Sequence, residues 1–293
     1  MEDILTALAL RLKQKDNSAN KGTNGTLTVV AGSELYRGAA ALASSAALRC
    51  GVGIVRLVSV EKVISSAAAR LPECVFLPTE SENGAMAYRE FARKMPAFSK
   101  SRAVLAGCGM TDCADTGNII AELIKYGGYQ LIIDADGLNS IKNRPELLKS
   151  AALPPVITPH IGEMARLTGA STDAIKSDRE KTAAEFSRKY NCITVLKDCK
   201  TVISSPEGKL FVCDRPNAGL AKGGSGDVLS GIISSFAAQG YDAFDAAVCG
   251  TALHSLAAES AREKLTEYSM LPSDIVAEIP GVFARIGKTR NYR

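Results

Sequence analysis

Three glycines, at 223, 224 and 226, lead directly into an acid, Asp227, and the chain then reads as a long apolar helix. Glycine lets the backbone turn tightly and bring its N–H groups close to a ligand. A helix that starts at the same place adds its own unpaired amides and the positive end of its dipole. The combination is an anion hole of the kind that holds a phosphoryl group. Asp227 has two readings there. It is a first-turn acid that offsets the dipole, or a base placed beside phosphate to take a proton from a substrate hydroxyl. The segment is not a Walker loop, because Lys222 comes before the glycines and that pattern needs its lysine after them.

Other candidates stand at the ends of short apolar runs. Gly107-Cys108-Gly109 follows Ala103–Ala106 and lacks the third glycine of a dinucleotide fingerprint, so it reads as a tight strand-end turn. Leu131-Ile-Ile runs into Asp134 and Asp136; Asp134 either faces a metal–phosphate group or caps the turn. Val156-Ile-Thr-Pro ends in His160, followed by Gly162 and Glu163. A histidine at a strand end leading into a helix is either a substrate contact or part of the scaffold. The second histidine, His254, lies inside a long apolar helix, which favours packing in the core. Gly32-Ser33 and Tyr36–Ala40 open another helix with small residues, admitting either a ligand or close helix–sheet contact. Lys197-Asp198-Cys199-Lys200-Thr201 is a basic link whose lysines suit nucleotide phosphates, or simply join two strands.

Such positions need a scaffold that gathers strand ends on one side. Short β-rich runs predict strands at Leu27–Ala31, Ile54–Ser59, Cys74–Leu77, Ala103–Ala106, Leu131–Asp134, Val156–Thr158 and Ile193–Leu196. Between them, Arg37–Cys50, Glu61–Arg70, Thr116–Tyr126 and Arg179–Tyr190 read as helices. This alternation specifies an α/β fold with a largely parallel central sheet and helices on both faces. The pattern then changes: Thr201–Ser205 and Lys209–Cys213 flank Pro206-Glu207-Gly208, which predicts an antiparallel hairpin. Two long helices, Ser225–Gln239 and Ala243–Lys264, follow it. Residues 1–25 are expected to be an N-terminal helix and loop, with Ile4, Leu5, Leu8 and Leu12 at helical spacing, and 26–293 a single catalytic domain.

Composition excludes several classes. The chain has 293 residues, 46% hydrophobic and 23% charged, with a formal charge of +4 spread along its length. No arginine-rich block or aromatic–basic interleaving occurs, tryptophan is absent and aromatics are 5%; nucleic acid is therefore not an expected partner. The eight cysteines include no C-x-x-C pair, which argues against disulfide frameworks and zinc. No apolar run reaches the roughly 18 uncharged residues of a membrane span. The expectation is a soluble, reduced, cytoplasmic enzyme with no metal-ligand set of its own.

Six motifs, in order and at matching spacing, resemble the ADP/ATP-dependent NAD(P)H-hydrate dehydratase family, which has a ribokinase-like fold. They are Ala31–Ser33, Tyr36–Ala40, Arg49–Gly53, Asp134–Asn139, Thr158–Glu163 and Asn217–Gly231. The resemblance implies repair of the S epimer of hydrated NADH or NADPH, in which the ring hydroxyl is phosphorylated and lost as phosphate. It implies ADP, or ATP, as cosubstrate with Mg2+, and a homo-oligomer, a tetramer. Carried over by position, Ala40, Gly109, His160 and Asp227 contact the hydrated dinucleotide, with Asp227 as the base. Lys197, Asp198, Cys199, Lys200, Thr201 and Gly226 contact the nucleotide. Two positions depart from the family pattern: Asp198 stands where glycine is usual, and Cys108 where proline is common. The chain lacks the epimerase domain that precedes this one in some relatives, which implies action on one epimer. The alternative is a kinase of the same fold acting on a vitamin-type alcohol.

Overall fold

Strands and helices alternate along most of the chain. The computed structural model describes residues 4–291; positions 1–3 and 292–293 of the two expected segments lie outside the described residues. The strands are β1 (Thr26–Val30), β2 (Ile54–Val60), β3 (Val75–Thr79), β4 (Ser81–Glu82), β5 (Ala85–Met86), β6 (Ala103–Ala106), β7 (Gln130–Ile133), β8 (Val156–Ile157), β9 (Ile193–Leu196), β10 (Thr201–Ser204) and β11 (Leu210–Cys213). The helices are α1 (Ile4–Arg11), α2 (Arg37–Arg49), α3 (Glu61–Ala68), α4 (Tyr88–Lys94), α5 (Ala114–Tyr126), α6 (Asp136–Ser140), α7 (Ile161–Thr168), α8 (Thr172–Ser177), α9 (Arg179–Tyr190), α10 (Ser225–Ala238), α11 (Ala243–Ser269) and α12 (Pro272–Asn291). Among the described residues no helix is long and apolar enough to cross a membrane.

One nine-stranded sheet runs β11-β10-β9-β8-β7-β6-β1-β2-β3, and β4 with β5 makes a separate ribbon. From β3 to β9 every pairing is parallel. The pairings β9–β10 and β10–β11 are antiparallel, as the turn around Pro206-Glu207-Gly208 requires. Every residue of β1 and β6 is buried, so both faces of the sheet centre are covered and no polar–apolar alternation is left to see. Thr28, buried there, is satisfied: its Oγ1 lies 2.7 Å from Ser101 Oγ.

Small residues set the distance between the helices over this centre. α2 is rich in alanine, and Ala40, Ala43, Ala46 and Ala47 are fully buried. α10 lies so close to it that a Cβ on Gly231 would sit 2.3 Å from the Ala43 carbonyl oxygen. α11 approaches α10 from the other side, where a Cβ on Gly250 would meet Ile233 at 2.4 Å. Ser235 Oγ bonds the Ala47 carbonyl at 2.9 Å, tying α10 to α2 by a second means. This packing holds the first turn of α10 against the ends of the central strands. Gly231→Ala must push α10 away from α2 and is expected to cost about 1–3 kcal/mol of overpacking; a lower thermal midpoint than that of the wild type checks it.

Candidate active site

The carboxyl ends of β7, β8 and β9 and the first turn of α10 converge on a cavity of about 890 Å³, lined among others by Asp134, His160, Lys197, Gly226 and Asp227. Crevices beyond the carboxyl ends of parallel strands are where open α/β sheets bind ligands. Gly224, at φ 101°, caps α10 in a left-handed conformation that suits glycine. The first bond that closes the helix runs from the Val228 N–H to the Gly224 carbonyl, 3.1 Å. The amides of Gly226 and Asp227 precede it and are available to an anion. Lys222 is occupied elsewhere: its Nζ bonds the carbonyls of Tyr268 at 2.8 Å and Met270 at 2.6 Å, holding the end of α11.

Beneath this turn lies a buried charged cluster. Asp134, 1% exposed, accepts from Lys197 Nζ at 2.8 Å through Oδ1, which also takes the Ala135 N–H at 2.9 Å. Ala135 sits at φ 48° and ψ −120°, a backbone state that L residues rarely adopt and that tends to occur at functional turns. Gly107 is confined here too, at φ 122°, since a Cβ would stand 1.9 Å from the Asp134 carbonyl oxygen. Burial lowers the Lys197 ammonium's affinity for its proton, but the Asp134 and Glu163 carboxylates outweigh it and hold the group charged. A Cβ on Gly226 would be 3.2 Å from Lys197 Nζ, so the ammonium lies close against the first turn of α10. Asp227 is raised from 3.8 to about 6, first by burial and then by the Asp134 carboxylate, while the Cys108 thiol and Lys197 oppose the rise. Cys108 itself is fully buried, 3.3 Å from Ser230 Oγ and 4.0 Å from Asp134 Oδ2. Burial pushes its thiol up, so it is a neutral donor rather than a nucleophile.

His160 works both as scaffold and as wall. Its Nδ1 accepts from the amides of Gly162 at 2.9 Å and Glu163 at 3.3 Å, while the Glu163 carboxylate takes the His160 N–H at 2.8 Å. This capping box starts α7. With Nδ1 engaged as acceptor, the neutral ring carries its proton on Nε2. Burial, and then Lys197 and Arg166, lower the imidazole's pKa, so it stays neutral near pH 7. The backbone of His160 bridges to Lys197 in parallel, which sets the two side by side at the cavity rim.

The expected site residues fall into two groups. His160, Lys197, Asp198, Cys199, Thr201, Gly226 and Asp227 all line the cavity. Ala40 and Gly109 do not; they meet each other's surroundings at the ends of β1 and β6, where a Cβ on Gly109 would touch Ala39 and Tyr36 and one on Gly32 would touch Ala40. Gly109 adjoins Cys108, whose thiol lies within 4.8 Å of an Asp227 carboxylate oxygen, so this second cluster comes close to the acid. Lys200 is not in the lining either and lies 3.3 Å from Glu180. Asp198 is held by Arg179, Nε at 2.9 Å and Nη2 at 2.5 Å, which anchors the link where glycine is usual. His254 departs from the expected core role: it is buried but lines the cavity. Its apolar helix concealed that, because periodicity does not show which buried face borders a ligand.

Residues 27–281 match the family model described as NAD(P)H-hydrate dehydratase. The chain is 31% identical over 283 residues to the ADP-dependent (S)-NAD(P)H-hydrate dehydratase of Xanthomonas campestris, covering 96% of each. It is 32% identical over 286 residues to the bifunctional NAD(P)H-hydrate repair enzyme of Moorella thermoacetica, covering 97% of this chain and 54% of that protein. The chain thus spans about half the length of the bifunctional relatives it matches. Among solved structures, the ADP/ATP-dependent NAD(P)H-hydrate dehydratase from Bacillus subtilis, co-crystallised with ATP and Mg2+, aligns at TM-score 0.82 and 26% identity, over 95% of this chain and 96% of that one. The fold is ribokinase-like.

The raised pKa of Asp227 has a consequence for stability. Between about pH 4 and pH 6 the folded chain binds this proton more tightly than the unfolded chain does, and the resulting stabilisation is lost as pH rises through about 6. Asp227→Asn removes the buried charge. It is expected to be more stable than the wild type near pH 7, by on the order of 1 kcal/mol, with the difference closing towards about pH 4. Urea denaturation of both proteins across that range measures it.

Proposed function

The chain belongs to the NAD(P)H-hydrate dehydratase family, and from there we propose that it restores hydrated NADH and NADPH by dehydrating the S epimer at the expense of ADP. The observation that carries the reading is the placing of Asp227: a half-buried carboxylate at the N-terminus of α10, beside free amides, in a cavity of nucleotide size. The names of the relatives support ADP as donor, with ATP as a second possibility drawn from the Bacillus protein.

Hydroxide is a poor leaving group, and phosphorylation converts it into a good one. In the proposed sequence Asp227 takes the proton of the ring hydroxyl while the oxygen attacks the terminal phosphorus, breaking its bond to the bridging oxygen of the nucleotide. The amides at the head of α10 and the Lys197 ammonium bear the charge that develops on the phosphoryl oxygens. The C–O bond then breaks, phosphate leaves with the electron pair, and loss of a ring proton restores the double bond. Ala40, Gly109 and His160 serve as dinucleotide contacts, with the His160 Nε2–H as a donor; Lys197 to Thr201 and Gly226 hold the nucleotide. Asp134 fits Mg2+, because its Oδ1 is taken by Lys197 and Ala135 while Oδ2 remains a hard oxygen donor. The Cys108 thiol is too soft to join it. When bound there, the ion would neutralise phosphate charge. The resemblance alone carries two further parts of the reading, a cytoplasmic location and a homotetramer.

The decisive test mixes the protein with hydrated NADH, Mg2+ and either ADP or ATP and follows the absorbance of the reduced nicotinamide. Recovery with ADP and release of phosphate are expected. No recovery with either nucleotide, or a stable phosphate ester formed from a vitamin-type alcohol, would overturn the reading. Turnover is expected to fall as pH drops through about 6, where Asp227 gains its proton, and Asp227→Asn is expected to lower kcat by about 10²-fold or more.

A further inference from the structure

Five buried side-chain polar atoms have no hydrogen-bond partner among the described residues, and three of them belong to residues lining the same cavity: Ser225 Oγ, Thr251 Oγ1 and His254 Nε2. The other two, on Ser44 and Thr79, lie outside it. Ser225, Thr251 and His254 are 7%, 4% and 7% exposed. A buried donor or acceptor left alone is costly, and native proteins keep few of them without a reason. Three on one wall form a polar surface that the protein's own groups do not satisfy.

The wall is built by two helices. Thr251 and His254 are three residues apart on α11 and share a face. Ser225 is the first residue of α10, and its backbone beside the His254 ring partly offsets what burial does to the imidazole's pKa. A neutral imidazole has one donor and one acceptor nitrogen, so the unpartnered Nε2 serves a ligand in either sense. Burial lowers the ring to about pKa 4, so it remains neutral. A neutral ring nitrogen flanked by two hydroxyls brings no positive charge to meet phosphate, and offers donors and acceptors together. It suits a group that both donates and accepts, such as a vicinal diol. Ser225 also adjoins Gly226, whose amide belongs to the phosphate cradle, and the sugar is the unit next to the phosphates in a nucleotide. Leu220 and Leu229, in the same cavity, offer apolar surface suited to a base.

Building on the nucleotide-dependent reading above, we propose that Ser225, Thr251 and His254 bind the ribose hydroxyls of the nucleotide and make the site selective for ribonucleotides. His254 is then a specificity residue and takes no part in the chemistry.

Calorimetric titration of the full chain with ADP, 2′-deoxy-ADP, 3′-deoxy-ADP and purine riboside diphosphate tests this without any need for turnover. The wild type is expected to bind ADP about 10-fold or more tightly than at least one deoxy nucleotide, roughly the worth of one hydrogen bond. His254→Leu, and Thr251→Val as the shape-conserving variant that keeps the fold intact, are expected to weaken ADP while leaving that deoxy nucleotide within about two-fold, so that discrimination disappears. His254→Gln, which restores a donor and an acceptor, is expected to recover part of it. Equal wild-type affinity for ADP and both deoxy nucleotides would overturn the assignment. So would a parallel loss for all four ligands in the variants, or discrimination only against purine riboside diphosphate, which lacks the base amino group. ADP bound without discrimination sinks the ribose assignment alone; absence of any nucleotide binding sinks the nucleotide-dependent reading and this proposal with it.

Discussion

The Lys197 ammonium and the fully buried Asp134 carboxylate, 2.8 Å apart, set the electrostatic state of the groups around them. Asp134, Glu163 and Asp227 would otherwise place three carboxyl groups in one poorly solvated region. An isolated buried charge costs several kcal/mol, and a pair is tolerated only when its geometry is good and its remaining lone pairs are met. Here Oδ1 of Asp134 has two donors, the ammonium and the Ala135 amide. The negative charge of Asp134 helps to lift Asp227 to about 6. A carboxyl group that titrates near 6 is therefore a product of its own burial first and of the neighbouring Asp134 charge second.

That arrangement depends on backbone geometry fixed far from any charge. Gly107 has no side chain, so β6 can end against the Asp134 carbonyl. Gly231 and the alanines of α2 allow α10 to descend until its first turn stands over the strand ends. The Lys197 side chain lies close against that turn at Gly226. At Gly107 and Gly231 a Cβ would collide with backbone, so helix and strand ends could not meet as they do. If Asp227 acts as the proposed base, the stability that its charge costs and the turnover that the charge supports pull in opposite directions.

Much of this was legible in the sequence. The seven strands of the parallel part were visible as short β-branched runs, and their bounds agree with the structure within one or two residues at each end. The hairpin announced itself through its turn residues, and the Gly223–Asp227 segment through glycine spacing ahead of an apolar helix. The short helices α6, α7 and α8 were less visible, because their 5, 8 and 6 residues hold too few turns to show a period. α7 is set by a capping box in which a histidine stands where serine or threonine is usual, and that substitution hides the signal. α12 was missed for a different reason: Pro280 lies within it and interrupts the pattern.

What the sequence determined by itself was the order of elements, the anion hole and the identity of the acid, since each follows from local residue types and spacing. What only the tertiary structure decided was which groups share the site. Asp134 and Lys197 are 63 residues apart, and nothing local states that they bond. The roles of His254, Thr251 and Ser225 depend on how α11 lies against α10, and a buried face looks the same in sequence whether it borders a core or a ligand. Asp198 likewise read as a departure from pattern until Arg179 was found holding it. Partners across space are chosen by packing, which depends on how distant segments fit together and not on the run of residues within any one of them.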